Sequence, residues 1–256
     1  MEHIGVCIPW ESPFMYSGCV DTLLALRRPP QTTVTFHRGR GWCSAKRHID
    51  ACEKALAAGA DWLLILGADQ AYEPDLLERL YARVMEGYDV VAALVPARGY
   101  LAWNNGMQPF AKVAWRFKAT DGQQMARPYQ GQDVDGDMIE LIDPKTGQME
   151  RINFIGSGVL MFHRDHLLAL KRPWFYETVD HETQVRTASM DTRFCFRLQM
   201  EAFASCWVDT TIQVKHLHIF SIDESFPARF ADWATPGQGD TTICRYDAGA
   251  QPMEAV

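Results

Sequence analysis

Residues 61 to 75, Asp-Trp-Leu-Leu-Ile-Leu-Gly-Ala-Asp-Gln-Ala-Tyr-Glu-Pro-Asp, constrain the fold more than any other stretch. The apolar run from Trp62 to Leu66 reads as a buried strand, and it stops at a single carboxylate, Asp69, before a helix expected to open at Pro74. In open α/β sheets ligands gather at the carboxyl ends of the strands, where a carboxylate can hold a divalent cation against a phosphate. Taken alone, Asp69 is a turn residue between strand and helix. A functional role needs other groups to converge on it.

The neighbouring pattern builds the sheet to which that strand belongs. Ile4 to Ile8 is a strand signal, closed by the prolines of Pro9-Trp10-Glu11-Ser12-Pro13. A short helical pattern through Val20, Leu23, Leu24 and Leu26 ends at Pro29-Pro30, and the β-branched run Thr32 to Phe36 is the next strand. Ser44 is placed to cap a helix with Ala45, Ile49, Cys52, Ala55 and Leu56 at helical spacing, ended by Gly59. After Asp69 a further helix carries Leu76, Leu77, Leu80, Tyr81 and Val84 on one face, and Val90 to Val95 is a fourth strand. Alternation of strand and helix with short connections predicts a mostly parallel, doubly wound α/β sheet.

Beyond Pro96 the pattern changes. Residues 97 to 150 are polar, with a strand at Val113 to Lys118 and an expected hairpin pairing Met138 to Ile142 with Met149 to Phe154. Trp103, Trp115 and Tyr129 in this stretch could stack equally on a sugar ring or a nucleobase. Asp133-Val134-Asp135-Gly136-Asp137 looks like a calcium loop but continues with Met138, and Pro144 stands where the loop needs a glutamate, so it is an acidic turn. Order resumes with the strand Ile155 to Phe162, opened by Gly156-Ser157-Gly158, and the helix Asp165 to Leu170. Asp191 begins another helix, with Phe194, Leu198 and Ala202 on its apolar face; Trp207 to Asp209 and Ile212 to His218 follow as strands. The expected organisation is one domain over residues 1–226, a half of 1–96 followed by a half of 97–226, with 227–256 as a tail or lid.

At 256 residues and 47% hydrophobic the chain can bury a full core. Its formal charge of −7 argues against gripping a nucleic-acid backbone by bulk electrostatics and leaves phosphate-bearing small molecules open. Seven dispersed cysteines without a C-x-x-C fit neither a zinc site nor a disulfide framework, and no segment approaches ~20 uninterrupted apolar residues. The expectation is a protein of a reducing cytoplasm with no membrane span.

Several residues could join Asp69. His216 and His218 lie two apart on an expected strand and so share a face; a carboxylate, an imidazole and two diphosphate oxygens suit manganese or magnesium, the imidazole tilting the choice to manganese. Either histidine alone reads as ordinary strand packing. Asp191 reads as an N-cap, or as a general base towards an acceptor hydroxyl if its second oxygen faces a pocket. Lys46 and Arg47 put positive charge in the first turn of a helix, where acids are preferred; this reads as a solvated basic turn, or as a mismatch tolerated where a pyrophosphate lies nearby to pair with them.

The run Ser44-Ala45-Lys46-Arg47-His48, then Ala60 to Asp69, then Glu73-Pro74-Asp75-Leu76-Leu77, resembles the nucleotide-sugar half of glycosyltransferases with the glycosyltransferase A fold. There an Arg-Asn helix precedes a strand ending in Asp-x-Asp and a Pro-Asp helix start. Phe154-Ile155-Gly156-Ser157-Gly158 is similar to the family's glycine-containing acceptor-side strand, and Met190-Asp191-Thr192-Arg193-Phe194-Cys195 to its Glu-Asp-x-x-Phe-Cys helix start. Trp207-Val208-Asp209 through His216 is similar to its terminal strand with a metal-binding histidine. The match spans roughly residues 3 to 220. It departs at Gly67 in place of the first Asp of Asp-x-Asp, at Met190 in place of an acid, and at His48 where Asn is usual.

The resemblance implies a glycosyltransferase A-type sheet flanked by helices with a small antiparallel acceptor-side region. It implies a nucleotide-diphosphate sugar donor, with Mn2+ or Mg2+ between Asp69 and the diphosphate and His216, with His218 in reserve, as protein ligand. Pro9, Trp10, Glu11 and Ala68 would border the donor, and Arg47 the diphosphate. Asp191 would be the base of an inverting transfer to a saccharide, a protein or a modified nucleic-acid base. A nucleotidyltransferase shares the sheet and metal logic but would show a Gly-rich basic loop after the first strand, which Pro9-Trp10-Glu11-Ser12-Pro13 is not. A non-catalytic nucleotide-sugar or glycan-binding protein is the reading favoured by Gly67 and Met190.

Overall fold

Leu63 and Ile65 contribute to one hydrophobic cluster and Leu64 and Leu66 to another, so the strand Trp62–Leu66 is covered on both faces by apolar groups, as its uninterrupted hydrophobic run requires. The structure, a computed structural model, describes residues 1–96, 100–103, 106–109, 114–117, 139–141, 147–179, 182 and 186–217. In chain order the first elements are β1 (Glu2–Ile8), α1 (Ser17–Leu24), β2 (Thr32–Arg38), α2 (Ser44–Ala57), β3 (Trp62–Leu66), β4 (Gln70–Ala71), α3 (Leu76–Met85) and β5 (Val90–Leu94). There follow β6 (Tyr100–Trp103), β7 (Gly106–Pro109), β8 (Ala114–Phe117), β9 (Ile139–Leu141), β10 (Met149–Ile152), β11 (Phe154–Ile155), β12 (Val159–His163) and α4 (Arg164–Leu168). The last are β13 (Thr178–Val179), β14 (Arg186–Ala188), α5 (Met190–Met200), β15 (Cys206–Gln213) and β16 (Lys215–His216).

The central sheet has seven strands in the order β10-β15-β5-β12-β3-β1-β2. β2, β1, β3, β5 and β15 point one way, and β12 and β10 point the other. This is the mainly parallel, helix-flanked sheet expected of a glycosyltransferase A-type fold. A three-stranded antiparallel sheet, β11-β8-β9, is the expected small accessory region. On one face α2 and α5 cover Cys7, Leu63, Ile65, Ala92 and Phe162; on the other α1 and α3 cover Val6, Leu64, Leu66, Val91 and Met161. Gly5 lets α2 approach β1, since a Cβ there would lie 2.7 Å from that of Ala55.

Several local expectations change. Cys43, not Ser44, precedes α2, and its side chain makes no capping bond. Pro74 and Asp75 form a turn, and helix α3 starts at Leu76. Among the described residues the expected hairpin between 138–142 and 149–154 is not the pairing found. β9 pairs with β8, while β10 pairs with β15, because the small sheet and the edge of the large sheet each offer an antiparallel partner. The strand read as Ile155 to Phe162 is two: β11 joins the small sheet and β12 the large one, and Gly156-Ser157-Gly158 is the crossing between them. The strands expected at Trp207 to Asp209 and Ile212 to His218 are divided differently: β15 runs through both from Cys206 to Gln213, and Lys215–His216 is the separate β16. The acidic turn at residues 133–137, the tail 227–256, Tyr129 and the side chains of Trp103 and Trp115 lie outside what is described.

Two buried charges hold the frame. Asp209 in β15 accepts from Arg83 Nε of α3 at 2.9 Å and from the Thr211 backbone at 2.9 Å. Burial alone would raise its pKa, but bonds from Thr211 and Arg83 outweigh that and hold it below the usual carboxylate range. Arg197 of α5 donates to the carbonyls of Lys171, Pro173 and Trp174 and to Glu201, tying the segment after α4 to that helix. Leu64→Ala is expected to cost about 2–5 kcal/mol, because the strand cannot close on the space left; urea unfolding of the two proteins checks it.

Candidate functional site

The carboxyl end of β3 gathers the site. Past Leu66 the backbone N–H of Gly67 donates to the Gly158 carbonyl at 2.8 Å, which fastens the end of β3 to the Gly-Ser-Gly crossing before β12. Asp69 follows immediately, and its carbonyl accepts from Leu217 N at 2.7 Å. β16 then pairs with β4, His216 opposite Gln70 and Lys215 opposite Ala71. A two-residue ladder thus carries a histidine distant in sequence to the acid at the strand end.

His216 Nε2 lies 3.6 Å from Asp69 Oδ2, with both side chains largely buried. His216 Nδ1 is 2.8 Å from the Pro96 carbonyl, which can only accept, so Nδ1 carries the hydrogen. Nε2 is then the nitrogen that faces the carboxylate, with the other anchored as in metal-binding histidines. Two donors each about 2.1 Å from one cation stand roughly 3 to 4 Å apart, so this pair fits a small divalent ion. Among the described residues no group of three or more His, Cys, Asp or Glu could hold a metal by itself. Any ion here would complete its shell with ligand oxygens and water. His218 lies outside the described residues.

Gln70 accounts for the missing first acid. Its buried side chain lies over both Gly67 and Gly158: a Cβ on Gly67 would come 2.6 Å from Gln70 Nε2, and one on Gly158 2.3 Å. Glycine at 67 leaves that side chain in place, whereas a Cβ would force it to shift, and Tyr72 donates its hydroxyl to the Gly67 carbonyl beside it. Ala68 is buried.

On the opposite side Asp191 is the second residue of α5. The cap is Ser189, whose hydroxyl accepts from Thr192 N at 3.3 Å, so the reading of Asp191 as N-cap is replaced. Asp191 Oδ1 accepts from Ser157 Oγ at 2.9 Å, and Ser157 Oγ lies 3.0 Å from His48 Nε2. Because Ser157 adjoins Gly158, the bond from Gly67 places the Asp69 and Asp191 clusters at one end of the sheet.

The loop after β1 borders the same end. Arg38 donates to the carbonyls of Trp10, Glu11 and Ser12 at 2.8, 2.7 and 2.9 Å and so shapes the segment from Pro9. Glu11 Oε2 accepts from Gly41 N at 3.0 Å and pairs with Arg47 Nε at 3.5 Å. Arg47 Nε also donates to the Gly41 carbonyl at 2.9 Å, so both contacts use Nε and the Nη groups remain available to an anion among the described residues. Ser157, Gln70 and the role of His48 escape sequence reasoning. The available signal was a polar residue held between two glycines in an otherwise apolar run.

No family model matches the sequence, and no curated protein matches it. Among solved structures the chain is similar to A197 from STIV, with 16% identity, a TM-score of 0.49, and coverage of 86% of this chain and 87% of that one. It is also similar to GalNAc-T7 crystallised with UDP, GalNAc and Mn2+, with 10% identity, a TM-score of 0.48, and coverage of 86% of this chain and 44% of that one. Among the described residues no helix is long and apolar enough to cross a membrane.

The wedge at Gln70 makes a direct prediction. Gly67→Ala is expected to destabilise by about 1–3 kcal/mol. In a Gln70→Ala background the same change costs clearly less, a non-additivity that a double-mutant cycle by chemical denaturation measures.

Proposed function

We propose that this chain is a metal-dependent, inverting glycosyltransferase that moves a sugar from a nucleotide-diphosphate donor to an acceptor hydroxyl. The observation that carries the reading is the pairing of Asp69 with an oriented His216 at the carboxyl end of β3, joined through Gly67 and Gly158 to a second acid, Asp191. Residues 1–96 supply the donor half and 97–226 the acceptor half. The loop of Pro9, Trp10 and Glu11 borders the nucleoside, and Ala68 lines the floor beside Asp69.

The chemistry divides between two sides. Diphosphate leaves poorly until its charge is neutralised; a divalent cation held by Asp69 and His216 would supply that neutralisation, manganese suiting the mixed nitrogen and oxygen donors. Arg47 adds hydrogen bonds from its Nη groups to the departing oxygens. On the other side Asp191 takes the proton of the acceptor hydroxyl as that oxygen attacks the anomeric carbon and the bond to the diphosphate breaks. Attack from the face opposite the leaving group inverts the centre.

Release of nucleoside diphosphate from a panel of nucleotide sugars, with and without Mn2+, is the test. Asp191→Asn is expected to lower kcat at least about a hundredfold with donor KM little changed. Asp69→Ala is expected to abolish the metal-dependent signal. Binding without turnover, unaltered in Asp191→Asn, would instead favour a non-catalytic nucleotide-sugar binder.

A further inference from the structure

Behind Asp191 lies a chain of hydrogen-bonding groups running into the core. His48 in α2 and Ser157 in the crossing are both buried, whereas Asp191 is partly exposed and its Oδ2 has no hydrogen-bond partner among the described residues. His48 Nδ1 lies 2.8 Å from the Ser44 carbonyl, so it carries a hydrogen in every state. Nε2 lies 3.0 Å from Ser157 Oγ, which lies 2.9 Å from Asp191 Oδ1. The Phe175 ring packs on the imidazole at 5.1 Å between centroids and holds its plane.

With His48 neutral and Asp191 ionised, Ser157 has one hydroxyl hydrogen to serve two acceptors, the Nε2 lone pair and the carboxylate. One of the two contacts must then set lone pair against lone pair. A single added proton completes both contacts, in either of two ways. In one, Asp191 is protonated and donates to Ser157, which donates to His48; in the other, His48 is protonated and donates to Ser157, which donates to Asp191. The two forms hold the same number of protons and interconvert by moving one hydrogen at each contact.

We propose that Ser157 and His48 form a buried proton relay behind the base, so that the proton removed from the acceptor hydroxyl is shared over Asp191, Ser157 and His48. The proposal rests on the reading of Asp191 as the base. The acceptor O–H bond breaks and an O–H bond forms on Asp191 Oδ2; a turn of the carboxyl brings that hydrogen to Ser157, which takes it while passing its own hydrogen to Nε2 as an N–H bond on His48, and the proton returns to solvent by the same route after product leaves. The resting relay is one proton short, and the reaction delivers that proton. Ser157 and His48 are positioning residues, since neither touches substrate.

The surroundings of His48 suit a store that empties readily. Burial pushes the imidazole below its ordinary range; the Ser44 carbonyl and the Asp191 carboxylate oppose that, and the charge of Arg47 reinforces it. Uptake of a solvent proton would fill the relay and disable the base, so activity is expected to fall as pH drops through the affinity shared by the pair.

Histidine-labelled NMR titration and pH–rate profiles test this together. In Asp191→Asn the His48 titration midpoint is expected to fall by about one pH unit, and in Ser157→Ala to shift in the same direction. His48→Gln, which keeps a donor towards Ser157 but cannot take up a proton, is expected to move the acid limb of the pH–rate profile down by about one pH unit. A His48 titration indifferent to both substitutions, or an acid limb unmoved in His48→Gln, overturns the relay. If no nucleotide sugar is turned over, the NMR titration still decides the relay, and only the transferase reading falls. Turnover with an uncoupled His48 leaves the transferase standing without the relay.

Discussion

One backbone hydrogen bond, from Gly67 N to the Gly158 carbonyl at 2.8 Å, sets the geometry of the whole site. It fixes the end of the central strand β3 to the crossing that links the large and small sheets. Asp69 is two residues from one end of this bond and Ser157 is one residue from the other, so the acid that pairs with His216 and the hydroxyl that bonds Asp191 are registered through the same contact. The side chain of Gln70 lies against both glycines, where a Cβ on either would collide with it. A larger residue at position 67 would have to push that side chain aside, and Asp69 meets His216 through the β4–β16 ladder.

The acids of this protein are separated by their surroundings. Asp209 is fully buried, bonded to Arg83 and Thr211 and held below the ordinary carboxylate range, the condition of an anion that ties a helix to a strand. Asp69 faces an imidazole whose other nitrogen is already committed, and Asp191 keeps one oxygen on a serine and the other without a partner among the described residues. The first environment consumes the carboxylate's bonding capacity. Among the described residues Asp191 keeps one oxygen for a ligand or a proton.

Much of the frame was legible in the sequence because it is written in local periodicity. β3 could be read from Trp62 to Leu66 because both of its faces are buried, and α2 and α3 from apolar residues recurring at helical spacing. Strand partners are not local. Nothing in the residues of β12 states that it runs against β3 and β5, and the turn formers at residues 143–147 suggested a hairpin where β10 instead pairs with β15. The site divides the same way: Asp69, Asp191 and His216 lie in motifs with fixed spacing. Gln70 and Ser157 act through contacts with residues remote in sequence, and His48 stood out only as a departure from the usual asparagine.

The central claim is that Asp69 and His216 hold one divalent ion against a diphosphate. Pulsed EPR of Mn2+ added with a mixture of the common nucleoside 5′-diphosphates tests it most directly, because an imidazole nitrogen bound to manganese modulates the electron spin echo. Nitrogen modulation is expected in the native protein and is lost in His216→Ala. Its absence in the native protein, or its persistence in His216→Ala, means that His216 does not bind the ion.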